Sequence, residues 1–508
     1  MLAGMATSQE TRKYFQDRSS PPPNLLDAQG LFVSPAGFGG YRIDAPFQEH
    51  RHALRKALLS GVNLVDTSSN YADGGSEALV GEVVGELVES GELKRESVVM
   101  ASKVGYLQGS NYRLSQKRKE EGRPFPDLVL YGEGLEHCIH PEFIEDQLTR
   151  SLQRLQMDAL DFYLLHNPEY YLGWARKQGL PVGHARREYE SRLLKAFSHL
   201  EIEVDRGRIG AYGVSSNTFP HRADDYEFTS LEKLWELARS ISPDHRFRLV
   251  QFPFNLLETG AITEKNQSGG RSVLDFAREK GLGALVNRPL NAILGNRLLR
   301  LADVSPPAAL PSMEALGERL EAAVASEEHF KSHLLAQLNL PAHARQQVAE
   351  GVSSASLLRD HWREMRTYER WGELRDHFFV PRTRTMVQSF HQYAGLPPEI
   401  RRWLETYVGE LEDALGGVEA FYRREAAGVA VRLKDWTASL DPCWGEAPTL
   451  SQKAVRALRS TRGVSTVLVG MRRESYVDDI LEELARPVEV ADRAGSWEAA
   501  WKQPPEGL

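Results

Sequence analysis

The chain has 508 residues, 41% hydrophobic and 26% charged, a globular composition that excludes a disordered or collagen-like polymer. Sixty-two Lys and Arg against seventy Asp and Glu leave a net charge of −8, with no global attraction for phosphate backbones or anionic membranes. Neither nucleic acid nor membrane is therefore an expected partner. No apolar run reaches the roughly eighteen residues of a membrane span, the N-terminal stretch has no apolar signal core, and two cysteines, Cys138 and Cys443, are too few for a disulfide framework. A cytoplasmic protein with free thiols is the expectation. At roughly 150 residues per domain the length allows about three domains, or one large domain with an insertion.

Residues 1–30 carry charge and an SSPPPN stretch, and read as an N-terminal extension with at most a short helix. From Leu31 short apolar runs alternate with segments of helical period. LFVSPAGF is followed by a helix over Glu49–Ser60, NLVDTS by a helix over Glu77–Glu89, and SVVMASKVG by a long connection, Gly105–Ile139. Within that connection the KRKEE run reads as a solvated loop, and Tyr106, Gln108 and Asn111 are candidates for substrate contact. The alternation resumes with a helix over Glu142–Gln156, LDFYLLH, a helix over Glu188–Asp205, RIGAYGVSS, a helix over Leu231–Ser240, RLVQFPF, a helix over Val273–Lys280, and LGALVNR.

At residue 290 the rhythm breaks, and 290–448 reads as an all-helical insertion. TLSQKAVRALRSTRG then reads as helix, STVLVG as an eighth strand and ESYVDDILEEL as an eighth helix. Eight alternations point to an α/β fold, a (β/α)8 TIM barrel with the insertion after strand 7; a doubly wound sheet is the alternative. The layout is then an extension (1–30), the first part of the barrel (31–289), the insertion (290–448), the last helix-strand-helix (449–486) and a C-terminal tail (487–508). The insertion occupies a βα connection, so it is expected over the C-terminal face, as lid, substrate wall, plug, homo-oligomer interface or plain packed appendage.

Asp66 ends one apolar strand, with Tyr71 just after it, and Lys103 and His166 end two others. In a barrel these groups converge on one mouth, each too costly to bury unpaired. Asp66 can hold Lys103 as a cation, a nearby cation lowers the pKa of the Tyr71 phenol, and His166 can polarise a carbonyl oxygen. Taken singly, the same residues read as a helix cap, a surface lysine or a strand end. His329 and His333, four apart, lack a third ligand and the His-Glu-x-x-His pattern, so no metal is expected. HCIH at 137–140 reads as a pocket-rim loop. Trp362, Trp371, Trp403 and Trp436, at helical spacing, read as core.

Six ordered motifs, GFGGYR, DTSSNY, DFYLLHNP, YGVSSN, VQFPFNLLE and GVSTVLVGMRRESYVDDIL, resemble those of the aldo-keto reductase superfamily. The resemblance implies an NAD(P)(H)-dependent oxidoreductase acting on a small carbonyl or alcohol, with Asp66, Tyr71, Lys103 and His166 as catalytic tetrad and Tyr71 as general acid. It places Ser216, Asn217, Gln251, Asn287 and Arg288 around the nicotinamide and Gly470 beside the cofactor backbone. Arg472 and Arg473, at a helix start, suit an adenosine 2′-phosphate, which favours NADP(H) with NAD(H) open. Asn287 stands where the family usually has a stacking aromatic residue, and Asn167 where many members carry another. A roomier, more polar pocket follows, with Tyr41, Tyr106 and Asn167 on the substrate side and a sugar-like substrate as the expectation. The alternative is a nicotinamide-binding interaction protein with slow or no turnover, whose insertion docks a partner.

Overall fold

Eight short strands carry the apolar runs: β1 (Ala36–Gly39), β2 (Leu64–Asp66), β3 (Val99–Val104), β4 (Leu160–His166), β5 (Ile209–Ser215), β6 (Phe247–Pro253), β7 (Gly283–Asn287) and β8 (Thr466–Val469). In the computed structural model, which describes residues 1–16, 22–26, 29–295 and 297–505, they close into a barrel in chain order, each parallel to its neighbours. The doubly wound alternative is thereby excluded. Every residue of β3 and β4 is buried, as expected of parallel strands covered on both faces.

The covering helices are α1 (Gln48–Leu59), α2 (Gly75–Glu89), α3 (Pro141–Leu155), α4 (Val182–Asp205), α5 (Leu231–Ile241), α6 (Val273–Glu279), α7 (Leu450–Arg459) and α8 (Glu474–Leu484). Pleating sends alternate residues inward. Leu64, Val99, Ala101, Phe162, Leu164, Ala211, Leu249 and Leu285 thus build the barrel's inner core. The same register carries on to Asp66, Lys103, His166, Ser215, Gln251 and Asn287 at the C-terminal strand ends.

Three expectations about the barrel's margins are corrected. LFVSPAGF is not one strand: Pro35, which has no N–H to donate, separates Leu31–Val33 from β1. Leu31–Val33 pairs antiparallel with Asn24–Leu26, and Leu26, Leu31 and Val33 join the inner core beside Leu64 and Val99, the first residues of β2 and β3. Part of the extension therefore closes the N-terminal end of the barrel; it also carries a helix, Ser8–Gln16, while residues 17–21 of the SSPPPN region lie outside the described residues.

The long connection holds a helix, Gly109–Glu120, and a three-stranded sheet of Tyr106–Leu107, Val129–Gly132 and Leu135–His137. KRKEE runs through that helix's last turn, with Lys119 paired to Glu136 and Arg118 to Glu142. The C-terminal tail holds a helix, Ala494–Lys502, whose buried Trp497 packs 4.4 Å from Phe254 and 4.6 Å from Trp444. Trp436 is half-buried, not core; its Nε1 donates to the carbonyl of Gln503 at 2.7 Å.

The chain divides into two compact units, one of residues 1–292 and 436–504, the other built from residues 293–435. The second is not wholly helical. Asn291–Leu294 and Arg297–Arg300 form a two-stranded sheet before the helices Met313–His329, Ala342–Gly351, Ser354–His361, Tyr368–Leu374, Val380–Gln392 and Pro398–Leu440. Its apolar residues gather in two clusters. In one, Trp403 lies stacked 4.2 Å from Phe330 and 5.3 Å from Tyr407; the other holds Trp362 and Trp371. Buried Glu327 accepts from the backbone N–H of Ala355 at 2.6 Å and from the Tyr407 hydroxyl at 2.5 Å, so one helix caps the start of another. The exposed rings of His329 and His333 stack on each other at 5.0 Å.

Candidate active site

The polar strand ends meet. Lys103, fully buried, donates to Asp66 Oδ2 at 2.7 Å, to the Thr67 carbonyl at 2.9 Å and to the Tyr71 hydroxyl at 3.2 Å. Its ammonium lies 4.8 Å from the centre of the Tyr71 ring. Burial alone pushes the Lys103 pKa down, but the Asp66 carboxylate and Tyr71 more than offset this and raise it, so the cation is held. Lys103 lowers the Tyr71 pKa as expected of a nearby cation, but burial outweighs that pull, so the phenol is shifted upward overall and stays protonated. His166 is pushed well down by burial and by the nearby Lys103 charge, so its imidazole is neutral. The His166 ring stands edge-on to Tyr71 at 5.8 Å and to Tyr106 at 4.8 Å.

Three residues that support this group escape a motif reading. Ser68 Oγ lies 3.1 Å from His166 Nδ1, and its position inside DTSSNY was the available signal. Neutral His137, whose pKa burial lowers to about 4, donates from Nε2 to the His166 carbonyl at 2.8 Å. That approach requires Gly105, where a Cβ would stand 2.5 Å from the His137 ring and 2.6 Å from the His166 carbonyl. The HCIH segment is thus a wall behind His166 rather than a rim loop.

Glu169, three residues after His166, accepts from the Asn217 backbone N–H at 2.8 Å while its Oε2 is buried without a partner among the described residues. Burial pushes its carboxyl up to about 7.

Gln251 is buried and engaged at both ends of its amide: Nε2 donates to Asp66 Oδ1 at 2.8 Å, and Oε1 accepts from Ser215 at 3.0 Å and Asn287 at 3.4 Å. Arg288, at φ +56°, reaches Asn217 Oδ1 at 3.5 Å and Glu258 at 3.4 Å. Asn287 Oδ1 and Arg288 Nε are buried without partners among the described residues, and buried polar atoms of this kind call for a ligand or water. Ser216 is buried beside Thr218, at 3.2 Å.

Of the residues expected on the substrate side, Asn167 at φ +49° donates to the Tyr106 hydroxyl at 2.6 Å, and exposed Tyr41 stands edge-on to Tyr71 at 5.2 Å. Gln108 joins Asn70 at 3.2 Å. Asn111 does not join this group: it is buried in an amide pair with Gln147 at 2.9 Å.

Just past the C-terminal end of β8, Gly470 faces open space where a Cβ would stand. Arg473 stands just before the first residue of α8, paired with Glu49 at 3.3 Å, and the two line a surface cavity of about 340 Å³ with His52, Glu474 and Ser475. Arg472 is half-buried just before it.

Residues 36–341 match the model of the aldo/keto reductase family. Over 200 residues the chain is 26% identical to the NAD(P)H-dependent D-xylose reductase of Scheffersomyces stipitis, covering 38% of this chain and 52% of that one. Over 113 residues it is 32% identical to the NADH-specific methylglyoxal reductase of Escherichia coli, covering 22% and 29%. The chain thus spans about half, or less, of the length of these curated relatives. A glycerol dehydrogenase structure from Gluconobacter oxydans aligns over 96% of this chain and 98% of that one at 14% identity, with a TM-score of 0.46.

Proposed function

The chain belongs to the aldo/keto reductase family, and we propose that its barrel interconverts a carbonyl and an alcohol on a small, hydroxylated, sugar-like substrate using NADP(H), with NAD(H) also accepted. The observation that carries this reading is the buried Lys103 ammonium, 2.7 Å from Asp66 and 3.2 Å from the Tyr71 hydroxyl.

The residues present fit a nicotinamide dinucleotide. Ser216 and Asn217, with the unpartnered Asn287 Oδ1, offer the paired donors and acceptors a carboxamide needs. The open space at Gly470 and the arginines at the start of α8 suit a phosphate chain. When bound, the cofactor supplies or accepts the hydride.

Tyr71 donates its proton to the oxygen that becomes the alcohol, and takes it back in oxidation. Lys103 steadies the phenolate formed at that moment, which needs no reorganisation because the cation is already in place. Asp66 holds Lys103, and Gln251 holds Asp66, as positioning residues. Neutral His166, with Ser68 at Nδ1, offers its other ring nitrogen to the substrate oxygen. Asn167 and Asn287, polar where stacking aromatics would narrow the pocket, together with the Tyr41 and Tyr106 hydroxyls, support a hydroxylated substrate, as does likeness to a D-xylose reductase.

Cofactor choice turns on Arg473. It suits a 2′-phosphate, whereas Glu49, its partner at 3.3 Å, opposes one and can accept from a free 2′-hydroxyl. Glu49→Gln is expected to shift the NADP(H) to NAD(H) ratio of kcat/KM about tenfold toward NADP(H); an unchanged ratio places the discrimination elsewhere.

The test of the reading is consumption of NADPH and NADH over a panel of aldoses, hydroxyketones and aromatic aldehydes. Turnover with the hydroxylated members at the highest kcat/KM is expected. Cofactor binding with no consumption across the panel contradicts the reading and favours a nicotinamide-binding interaction protein.

A further inference from the structure

Within the second unit lies a cavity of about 410 Å³, walled by the 291–300 strands, residues 362–369 and the long helix Pro398–Leu440. A volume of this size holds a small metabolite. Its charge runs against that of the chain: five arginines, Arg297, Arg300, Arg363, Arg366 and Arg432, face two carboxylates, Glu369 and Glu425, in a protein of net charge −8.

Arg300 is drawn toward Glu369, and Arg363 lies 4.5 Å over the Trp362 ring. Arg297, Arg366 and Arg432 make no ion pair within 4 Å among the described residues. Five guanidiniums against two carboxylates leave an excess of positive charge, and an anion relieves their mutual repulsion.

Two wall residues are specially placed. Trp362 borders the cavity but is only 1% exposed, and its Nε1 is enclosed in the wall with no partner among the described residues. Arg366 holds φ +61° and ψ −27°, a left-handed conformation that is strained for a side-chain-bearing residue and is kept where the surroundings impose it. Leu298, Met313, Phe421 and Val429 give the wall an apolar part, beside Thr367, Tyr368 and Tyr422.

We propose that this cavity binds a small organic anion with a flat apolar body, distinct from the substrate and cofactor of the barrel. Arg297, Arg366 and Arg432 hold its phosphate or carboxylate, and the apolar part of the wall takes its body. Guanidinium forks match both phosphate and carboxylate geometry.

The probe is 8-anilinonaphthalene-1-sulfonate, a flat aromatic anion, titrated by fluorescence into the full-length chain with adenosine monophosphate and salicylate as competitors. A saturable site is expected, weakened about tenfold or more by Arg432→Glu and by Arg366→Gly. Arg366→Gly removes the guanidinium and also the strain, so its thermal midpoint should equal or exceed that of the parent, which separates lost binding from lost folding. Displacement by adenosine monophosphate assigns the phosphate, and displacement by salicylate the carboxylate. A titration without saturation, an affinity unchanged in both variants, or displacement by neither competitor overturns the proposal.

Discussion

Lys103 shows how much of the site rests on one buried charge. Replacing it with Met leaves the Asp66 carboxylate buried with only Gln251 as a side-chain partner, an uncompensated charge that costs about 3–5 kcal/mol. In urea unfolding, Lys103→Met is expected to lose that much and Lys103→Met/Asp66→Asn to regain most of it, while turnover stays absent in both. Equal losses in the two variants would show that the pair is not coupled.

Glu169 gives a pH dependence of the opposite sense to an ordinary ion-paired carboxylate. Its carboxyl sits at about 7 in the fold against 4.5 in the open chain, so between those values the folded state keeps a proton that the unfolded state has released. Stability from this group is therefore highest below about pH 4.5 and falls as pH rises to about 7. The groups facing it are Arg288, Glu227, Tyr106, Tyr170 and Tyr189. Glu169→Gln keeps an acceptor for the Asn217 N–H and is expected to match the parent near pH 4 and exceed it by about 3 kcal/mol above pH 7. A constant difference across that range would contradict the assignment.

The strand-end Asp66, Lys103 and His166 were legible in the sequence because each interrupts an apolar run at or next to its last position. Ser68, His137 and Glu169 were not, because their roles lie in contacts across loops and leave no periodic trace.

At the scale of elements, periodicity served where an element has one wet and one dry face. It failed for Gly109–Glu120, which buries only Asn111 and Ser115 and so has no apolar stripe to read. It failed again for the strands Asn291–Leu294 and Arg297–Arg300, four residues each and with Ile293 as their only β-branched residue. In the helical unit the element to test is the cap made by Glu327. Glu327→Ala strands the Ala355 N–H and the Tyr407 hydroxyl in the interior, and is expected to lower that unit's stability by about 2–4 kcal/mol, followed by thermal unfolding. A change below about 0.5 kcal/mol, the scale of an ordinary surface substitution, would contradict this role.

For the whole molecule, length allowed about three domains or one large domain with an insertion, and the chain forms two units with separate apolar cores. Separate cores make unfolding in more than one step the expectation, with Glu327→Ala moving one transition and Lys103→Met the other. The charges are unevenly shared as well: a chain of net charge −8 keeps unpaired arginines around one cavity of its second unit and a single buried ammonium at the barrel's strand ends. The proposed function rests on that ammonium and the phenol beside it. The most direct measurement is a comparison of the parent with Tyr71→Phe for two readouts, NADPH binding by fluorescence titration and NADPH oxidation with a hydroxylated aldehyde. Binding within about twofold of the parent and a rate reduced by a factor of about 10²–10⁴ are expected of a general acid. Oxidation at the parental rate in Tyr71→Phe would contradict the account.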